Sequence, residues 1–412
     1  MSENTQYDKN AGSGMFERHY VKTIVDRISE TNNPLMQVVV GPRQTGKSTM
    51  LGQALAKIDT EQFFISADDA IVPSEEWLQV EWQQARNATR SGSCPVVLVV
   101  DEIQKVPHWS LVVKSLYDAD RRNDTPVRVV LSGSSSLLLH KGLEDSLMGR
   151  FELIHSPHWS YSECSQAFGF SFDDYLYYGG YPGAARFASD DARWISYIRE
   201  AIIEPTISQD VLALEDIRKP ALMRALFRLG ATYSAQELSY TKMLGQLQDA
   251  GNTVTVAHYL DLLDKAGMLC GIQKCDARAV KRRKSSPRFM VYDTSLMTAS
   301  SGIEKSRYLG EPDLRGHLVE SAVGARLLAR ASEEGLGVYW WREGIKEVDF
   351  VVSKGFDSLS AIEVKSGKEK GQSGMADFLS ANPNAKRIVV GGAASGACGV
   401  EEFLKDEVEL FY

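Results

Sequence analysis

Gly41-Pro42-Arg43-Gln44-Thr45-Gly46-Lys47-Ser48 places its glycines, lysine and serine at the spacing of a loop that cradles nucleotide phosphates. Loop amides and the N-terminus of a following helix supply partial positive charge to anionic oxygens. In that pattern Lys47 reaches the β- and γ-phosphates, Ser48 holds Mg2+, and Thr49 completes the binding segment. About fifty residues on, an apolar run ends in Asp101-Glu102. There Asp101 would bind Mg2+ directly or through water, and Glu102 would polarise the water that attacks the γ-phosphate. A third apolar run ends in Ser132-Gly133-Ser134, whose hydroxyls suit the attacking water or the γ-phosphate, with no basis for choosing between them. Arg150, after a glycine, is placed to sense the γ-phosphate, in cis or across a subunit interface.

These residues need a buried parallel sheet to hold them. Leu35 to Val40 is a mostly apolar run of strand length, Val96 to Val100 a continuous one, and Val127 to Leu131 reads as the next strand. Phe63 to Ile65 predicts a shorter strand. Between the loop and that strand, Met50, Leu51, Ala54, Leu55 and Ile58 share a helical face, and Trp77 to Arg90 also has helical character. A helix over Phe16 to Glu30 leads into the first strand. Tyr161 to Tyr181 is aromatic-rich and closes on Gly179-Gly180-Tyr181-Pro182, read as the exit from the core.

A second kind of chemistry lies downstream. From Arg218 to Tyr292 there are 13 Lys/Arg against 5 Asp/Glu, a local +8 inside a chain of net charge −8. Such a segment points to a local anionic partner. Helical signals near Leu222 and Ala235, then a periodic helix over Thr255 to Lys265, precede two strand-like runs, Met268 to Ile272 and Arg288 to Tyr292. Three helices and a basic hairpin make a winged helix. Its wing would offer Lys281, Arg282, Arg283, Lys284 and Arg288 to DNA phosphates. Asp261 and Asp264 on the recognition helix argue instead for protein docking, and both readings stay open.

Further on, Asp349 and then Glu363-Val364-Lys365, on adjacent predicted strands, resemble the PD-(D/E)xK nuclease signature. Two carboxylates on neighbouring strands can converge on one Mg2+, and Lys365 shares the sheet face of Glu363. Glu320, on a helix among apolar residues, matches that family's additional acid. Loss of nuclease activity with retention of the fold is the competing reading.

With GPRQTGKS, LVVDEIQ, LSGSS, GRFELIHSPHWSYSE and YLYYGGYP together, the chain resembles the prokaryotic AAA-type ATPases that carry a C-terminal domain of unknown function. The resemblance implies an additional-strand, catalytic-glutamate ATPase core on a central parallel sheet. It matches Glu102 to the catalytic acid and Arg150 to the family's arginine. The expected architecture is α/β throughout: a loose tail over 1–15, a P-loop ATPase domain over 16–185 and a helical connector over 186–217. A winged helix over 218–300 and a restriction-endonuclease-like domain over 301–412 follow.

Composition bounds these expectations. The 412 residues are 43% hydrophobic, ordinary for globular protein. No apolar run reaches membrane-spanning length, and the polar N-terminus has no signal-peptide core. Five scattered cysteines give neither a disulfide framework nor a zinc site, so the expected setting is the reducing cytoplasm. The expected ligands are ATP, Mg2+ and DNA, with a homo-oligomer left open and no membrane partner. Two functions follow. Either nucleotide state controls DNA binding and cleavage, or the chain is a nucleotide-regulated protein-interaction switch on an inactive nuclease-fold scaffold.

Overall fold

The structure is a computed structural model that describes residues 15–30, 35–91, 95–133, 146–211, 217, 219–247, 252–275, 286–355, 358–365, 372–392 and 395–412. The chain divides into two compact units, Met1–Ser156 and Pro157–Tyr412. Among the described residues no helix is long and apolar enough to cross a membrane.

The first unit runs α1 (Tyr20–Ser29), β1 (Met36–Val40), α2 (Lys47–Leu55), β2 (Gln62–Ser66), α3 (Glu75–Ser91), β3 (Val96–Asp101), α4 (Trp109–Arg122), β4 (Val127–Gly133) and β5 (Phe151–His155). The strands lie in the order β2-β3-β4-β1-β5. Every neighbouring pair is parallel. β1 and β3 are buried along their whole length because helices cover both sheet faces, which is why they read as apolar runs interrupted only by Gln37 and the terminal Asp101. The pleat sorts their residues. Met36, Val38, Leu98 and Val100 pack with Leu78 and Trp82 of α3 and Val113 of α4. Val39, Val97 and Val99 face the other way, onto Ile24 of α1 and Met50 and Leu51 of α2. β4 stands between β1 and β3, the additional strand that the family resemblance implies.

The second unit begins with α5 (Tyr161–Phe168), α6 (Phe172–Tyr178) and α7 (Asp191–Tyr197), the last continuing into π-helical turns over Ile198–Ile203 and Thr206–Val211. Next come α8 (Pro220–Thr232), α9 (Tyr240–Gln246), α10 (Thr253–Lys265), β6 (Leu269–Lys274), β7 (Arg288–Val291), α11 (Thr294–Ser301), α12 (Lys305–Gly310) and α13 (Pro312–Glu334). The chain closes with β8 (Gly337–Glu343), β9 (Lys346–Lys354), β10 (Ser358–Lys365), β11 (Gln372–Ser373), α14 (Met375–Ala381), β12 (Lys386–Gly391) and α15 (Val400–Leu404). The main strand order is β12-β10-β9-β8-β6-β7, with β11 against β9. β6 and β7 form an antiparallel pair, and β6 also runs parallel to β8, through Gln273 opposite Tyr339 and Lys274 opposite Trp340. The hairpin that follows the three helices therefore shares one sheet with the C-terminal strands.

The Gly179-Gly180 pair has a specific task in this unit. The Gly180 amide donates to Asp293 Oδ2 at 2.7 Å, while Asp293 Oδ1 accepts from the Ser295 amide at 3.0 Å as the N-cap of α11. One buried carboxylate thus ties the end of α6 to the start of α11. A Cβ on Gly180 would lie 2.2 Å from the Trp159 carbonyl oxygen, a backbone atom with no rotamer to yield. Gly180→Ala is expected to destabilise the second unit by about 1–3 kcal/mol, read by denaturant unfolding. An unchanged midpoint would show that this close approach is not needed.

Candidate functional site

The loop after β1 turns on Gly46, whose φ of +87° is a left-handed conformation at the N-cap of α2. Thr45 Oγ1 donates to the Pro42 carbonyl at 3.0 Å. Lys47 is buried, and its Nζ folds back to donate to the Gly41 and Pro42 carbonyls at 3.0 and 2.7 Å. The lysine therefore lies along the loop with its charge held at the site. Ser48 Oγ donates to Asp101 Oδ2 at 2.5 Å, joining α2 to the end of β3. Asp101 Oδ1 accepts from the Glu102 amide at 3.0 Å and from the Ser132 hydroxyl on β4. Glu102 follows with φ +52°, and its Oε2 accepts from Gln104 Nε2 at 2.5 Å.

A cavity of about 250 Å3 opens over these groups. Arg43, Gln44, Gly46, Lys47, Ser48, Thr49 and Glu102 line it, together with Asp68 and Lys105. Asp68 and Lys105 form an ion pair at its rim. Sequence reasoning missed both, and it missed Gln104. The available signal was position: Asp68 comes two residues after β2, at the same sheet end as Asp101. Ser132 is fully buried behind Asp101, and Ser134 lies outside the described residues. The donor set at the Ser48–Asp101 contact is hydroxyl and carboxylate oxygen beside a phosphate loop. That set fits Mg2+, which takes one or two protein oxygens and completes its shell with phosphate and water.

Arg150 lies elsewhere. It immediately precedes Phe151, which pairs with Met36 at the start of β1, and its carbonyl accepts from the Met36 amide at 2.9 Å. The phosphate loop leaves β1 at the other end, so about 13 Å of strand separates the two levels. Its guanidinium makes a two-pronged contact with Asp118 of α4 at 2.7 and 3.0 Å. That hydrogen bonding holds the Asp118 carboxyl below its usual value. Tyr117, Arg121, Arg122 and Gly149 complete a separate cavity of about 460 Å3. A role for Arg150 on the phosphates of its own chain is thereby corrected: strand register puts it at the opposite end of the strands.

In the second unit, Asp349 on β9 and Glu363 on β10 follow directly from the Phe350–Ile362 pair, so they stand on adjacent strands as expected. Asp349 Oδ2 accepts from the Val364 amide at 2.8 Å, and Lys365 Nζ lies 2.7 Å from Glu363 Oε1. Glu320 on α13 joins Asp349 through an unforeseen partner, Arg288. The Arg288 NH1 group is 3.2 Å from Glu320 Oε1 and 3.4 Å from Asp349 Oδ1, and it donates to the Asp349 carbonyl at 3.1 Å. NH2 is 3.6 Å from Glu347. Burial pushes the Asp349 carboxyl up, against the pull of Arg288. The Arg288 side chain is only 5% exposed, which corrects its expected place on DNA phosphates. Lys281, Arg282, Arg283 and Lys284 lie outside the described residues. A divalent metal does not fit the acids as they stand, because Arg288 already engages Glu320 Oε1 and Asp349 Oδ1 while Lys365 engages Glu363 Oε1. Among the described residues no group of three or more His, Cys, Asp or Glu side chains is arranged to hold a metal ion.

α10 also departs from expectation. Its outward stripe is Val254, His258, Asp261 and Lys265, with Asp261 and Lys265 paired at 2.8 Å. Asp264 turns inward, accepts from Tyr292 Oη at 2.6 Å, and is pushed up to about 6 by burial. It therefore places no charge on the outer face.

Family models match three successive stretches: an "AAA domain" over residues 33–165, a "Domain of unknown function (DUF8612)" over 169–307 and a "Domain of unknown function (DUF4143)" over 315–397. An uncharacterized protein of Haemophilus influenzae is 22% identical over 87% of this chain and 89% of its own length. An uncharacterized protein of Mycobacterium tuberculosis is 29% identical over 74% of this chain, which spans 64% of that relative. Among solved structures, the Walker-type ATPase of Pyrococcus abyssi is similar with a TM-score of 0.47 and 15% identity, over 70% of this chain and 96% of that one. Loop, Asp-Glu strand end and matched models agree: the chain carries an AAA-type P-loop ATPase domain and, behind it, a C-terminal domain of unknown function.

Proposed function

We propose that the protein is a Mg2+-dependent ATPase whose nucleotide state controls DNA binding by its second unit. The observation that carries the ATPase half is the 2.5 Å contact between Ser48 and Asp101, with Glu102 lining the same cavity. On ATP binding, Lys47 leaves the two loop carbonyls for the β- and γ-phosphates, and the amides at the start of α2 receive the remaining anionic oxygens. Ser48 and Asp101 would hold Mg2+, which when bound neutralises charge on the phosphate oxygens. Glu102 orients and deprotonates the attacking water, Gln104 positions its carboxylate, and Ser132 steadies Asp101. Arg150 is too far along the sheet to act in its own chain. It completes the site of a neighbouring copy in a homo-oligomer.

For the second unit, α8, α9, α10 and the β6/β7 pair are read as a winged helix. The segment between those strands carries Lys281 to Lys284 to DNA phosphates. The C-terminal strands and α13 are read as a restriction-endonuclease-like fold. One observation favours the other reading, a protein-docking switch on an inactive scaffold. The outward stripe of α10 carries a single lysine, already paired with Asp261, and begins with the exposed Val254.

Lys47→Ala is expected to abolish ATP binding, and Glu102→Gln to keep binding while lowering turnover by about 10²–10⁴-fold. Unchanged hydrolysis in either variant would refute the ATPase site. Arg150→Ala should lower kcat by about 10³-fold, and mixing it with Lys47→Ala should restore activity by pairing an intact loop with a neighbour's arginine. A mixture no more active than its parts would exclude action in trans. DNA affinity should fall steeply with salt. Neutralising Lys281 to Lys284 should weaken it and flatten the slope of log affinity against log salt by about 0.9 for each phosphate left without a basic partner. Binding that ignores salt, or is absent, favours docking.

A further inference from the structure

We propose that Arg288 is the resident cation of the Glu320, Glu347 and Asp349 cluster, and that the acid-lysine set of the second unit is a latent metal site whose divalent ion this side chain replaces. The proposal is independent of the ATPase reading, because every residue in it belongs to the second unit.

Three partly buried carboxylates gathered round one point repel one another and favour a positive charge there. Arg288 supplies it. Its side chain is 5% exposed and reaches all three, at 3.2, 3.4 and 3.6 Å. The fit is imperfect in an informative way. The two longer contacts exceed ordinary hydrogen-bond length, and the buried Arg288 Nε makes no hydrogen bond to any described residue. A fully satisfied guanidinium would fill its five donor positions. This one sits in a pocket whose oxygens converge from β9 and α13, and its guanidinium carbon lies 5.6 Å from the Trp340 ring centroid. A hard dication would need those same oxygens at about 2.1 Å. It cannot take them beside a fixed positive charge that already holds them.

The chain position of Arg288 makes the arrangement consequential. It is the first residue of β7, bridged to Glu237, while its acids lie on β9 and α13. The guanidinium therefore binds the hairpin segment to the C-terminal strands. In a metal-holding version the ion would charge-balance β9, β10 and α13 without reaching β7. Here the cation facing the acids belongs to the chain itself, and it offsets one of their three charges without a metal.

The test is Mn2+ uptake by the full chain without nucleotide, followed by electron paramagnetic resonance and by thermal unfolding. Wild type and Asp349→Asn should take up Mn2+ equally, because any uptake arises at other oxygens. Arg288→Met keeps a long apolar side chain but removes the charge. It should gain a Mn2+ site, with saturating Mn2+ raising its Tm by about 5 °C and leaving the wild-type Tm unchanged. Arg288→Met/Asp349→Asn should lose that gain. Wild-type uptake that Asp349→Asn removes would show metal and arginine coexisting, and would overturn the proposal. So would a folded Arg288→Met with no added site. Should Arg288→Met fail to fold with or without Mn2+, the comparison of wild type with Asp349→Asn decides.

Discussion

The contact between Ser48 and Asp101 joins residues 53 positions apart, and the architecture of the first unit exists to make it. Two parallel strands, β1 and β3, must end at the same level with a third between them. β4 fills that gap and adds Ser132, so Asp101 receives hydroxyls from both sides. The price is a sheet buried on both faces, which only apolar strands with helical cover can sustain. Residues of alternate parity in β1 and β3 go to different helical layers. The loop is then held by its own strand and helix, with little freedom left to lose when phosphate arrives.

The second unit solves a different electrostatic problem with a different device. Several carboxylates sit where the sheet packs on α13, and a buried guanidinium answers them. Desolvating that arginine and those acids is costly, and their mutual attraction offsets the cost only while all remain in place. The same charge that makes the sequence look catalytic is, in the folded chain, turned inward. The aromatic-rich stretch Tyr161 to Tyr181 belongs to this unit too, although the sequence had placed it at the exit of the first.

What was legible in the sequence follows from range. The phosphate loop, the strand ending in Asp101-Glu102 and the helix over 253–265 each carry their signal within about fifteen residues, and all three are where their patterns place them. Arg288 was misread because it stands just beyond the basic run 281–284. The basic run itself does not separate a strand-start arginine that turns inward from one that faces solvent. The apolar Phe289-Met290-Val291 that follows was the available hint. Asp264 was misread although spacing held the clue, since it falls one turn after the buried Leu260. Arg150 depended on the register of β5 against β1, a pairing between segments over a hundred residues apart that no local pattern encodes.

The central claim is that Ser48 and Asp101 serve one cation in a working ATPase site. It is tested most directly by steady-state Mg2+-dependent ATP turnover in Ser48→Ala, Asp101→Asn and the double variant. Shared duty predicts a loss of at least about 100-fold in each single variant and a double variant no worse than the poorer single. Losses that multiply in the double variant, or a single variant with wild-type turnover, would contradict the account.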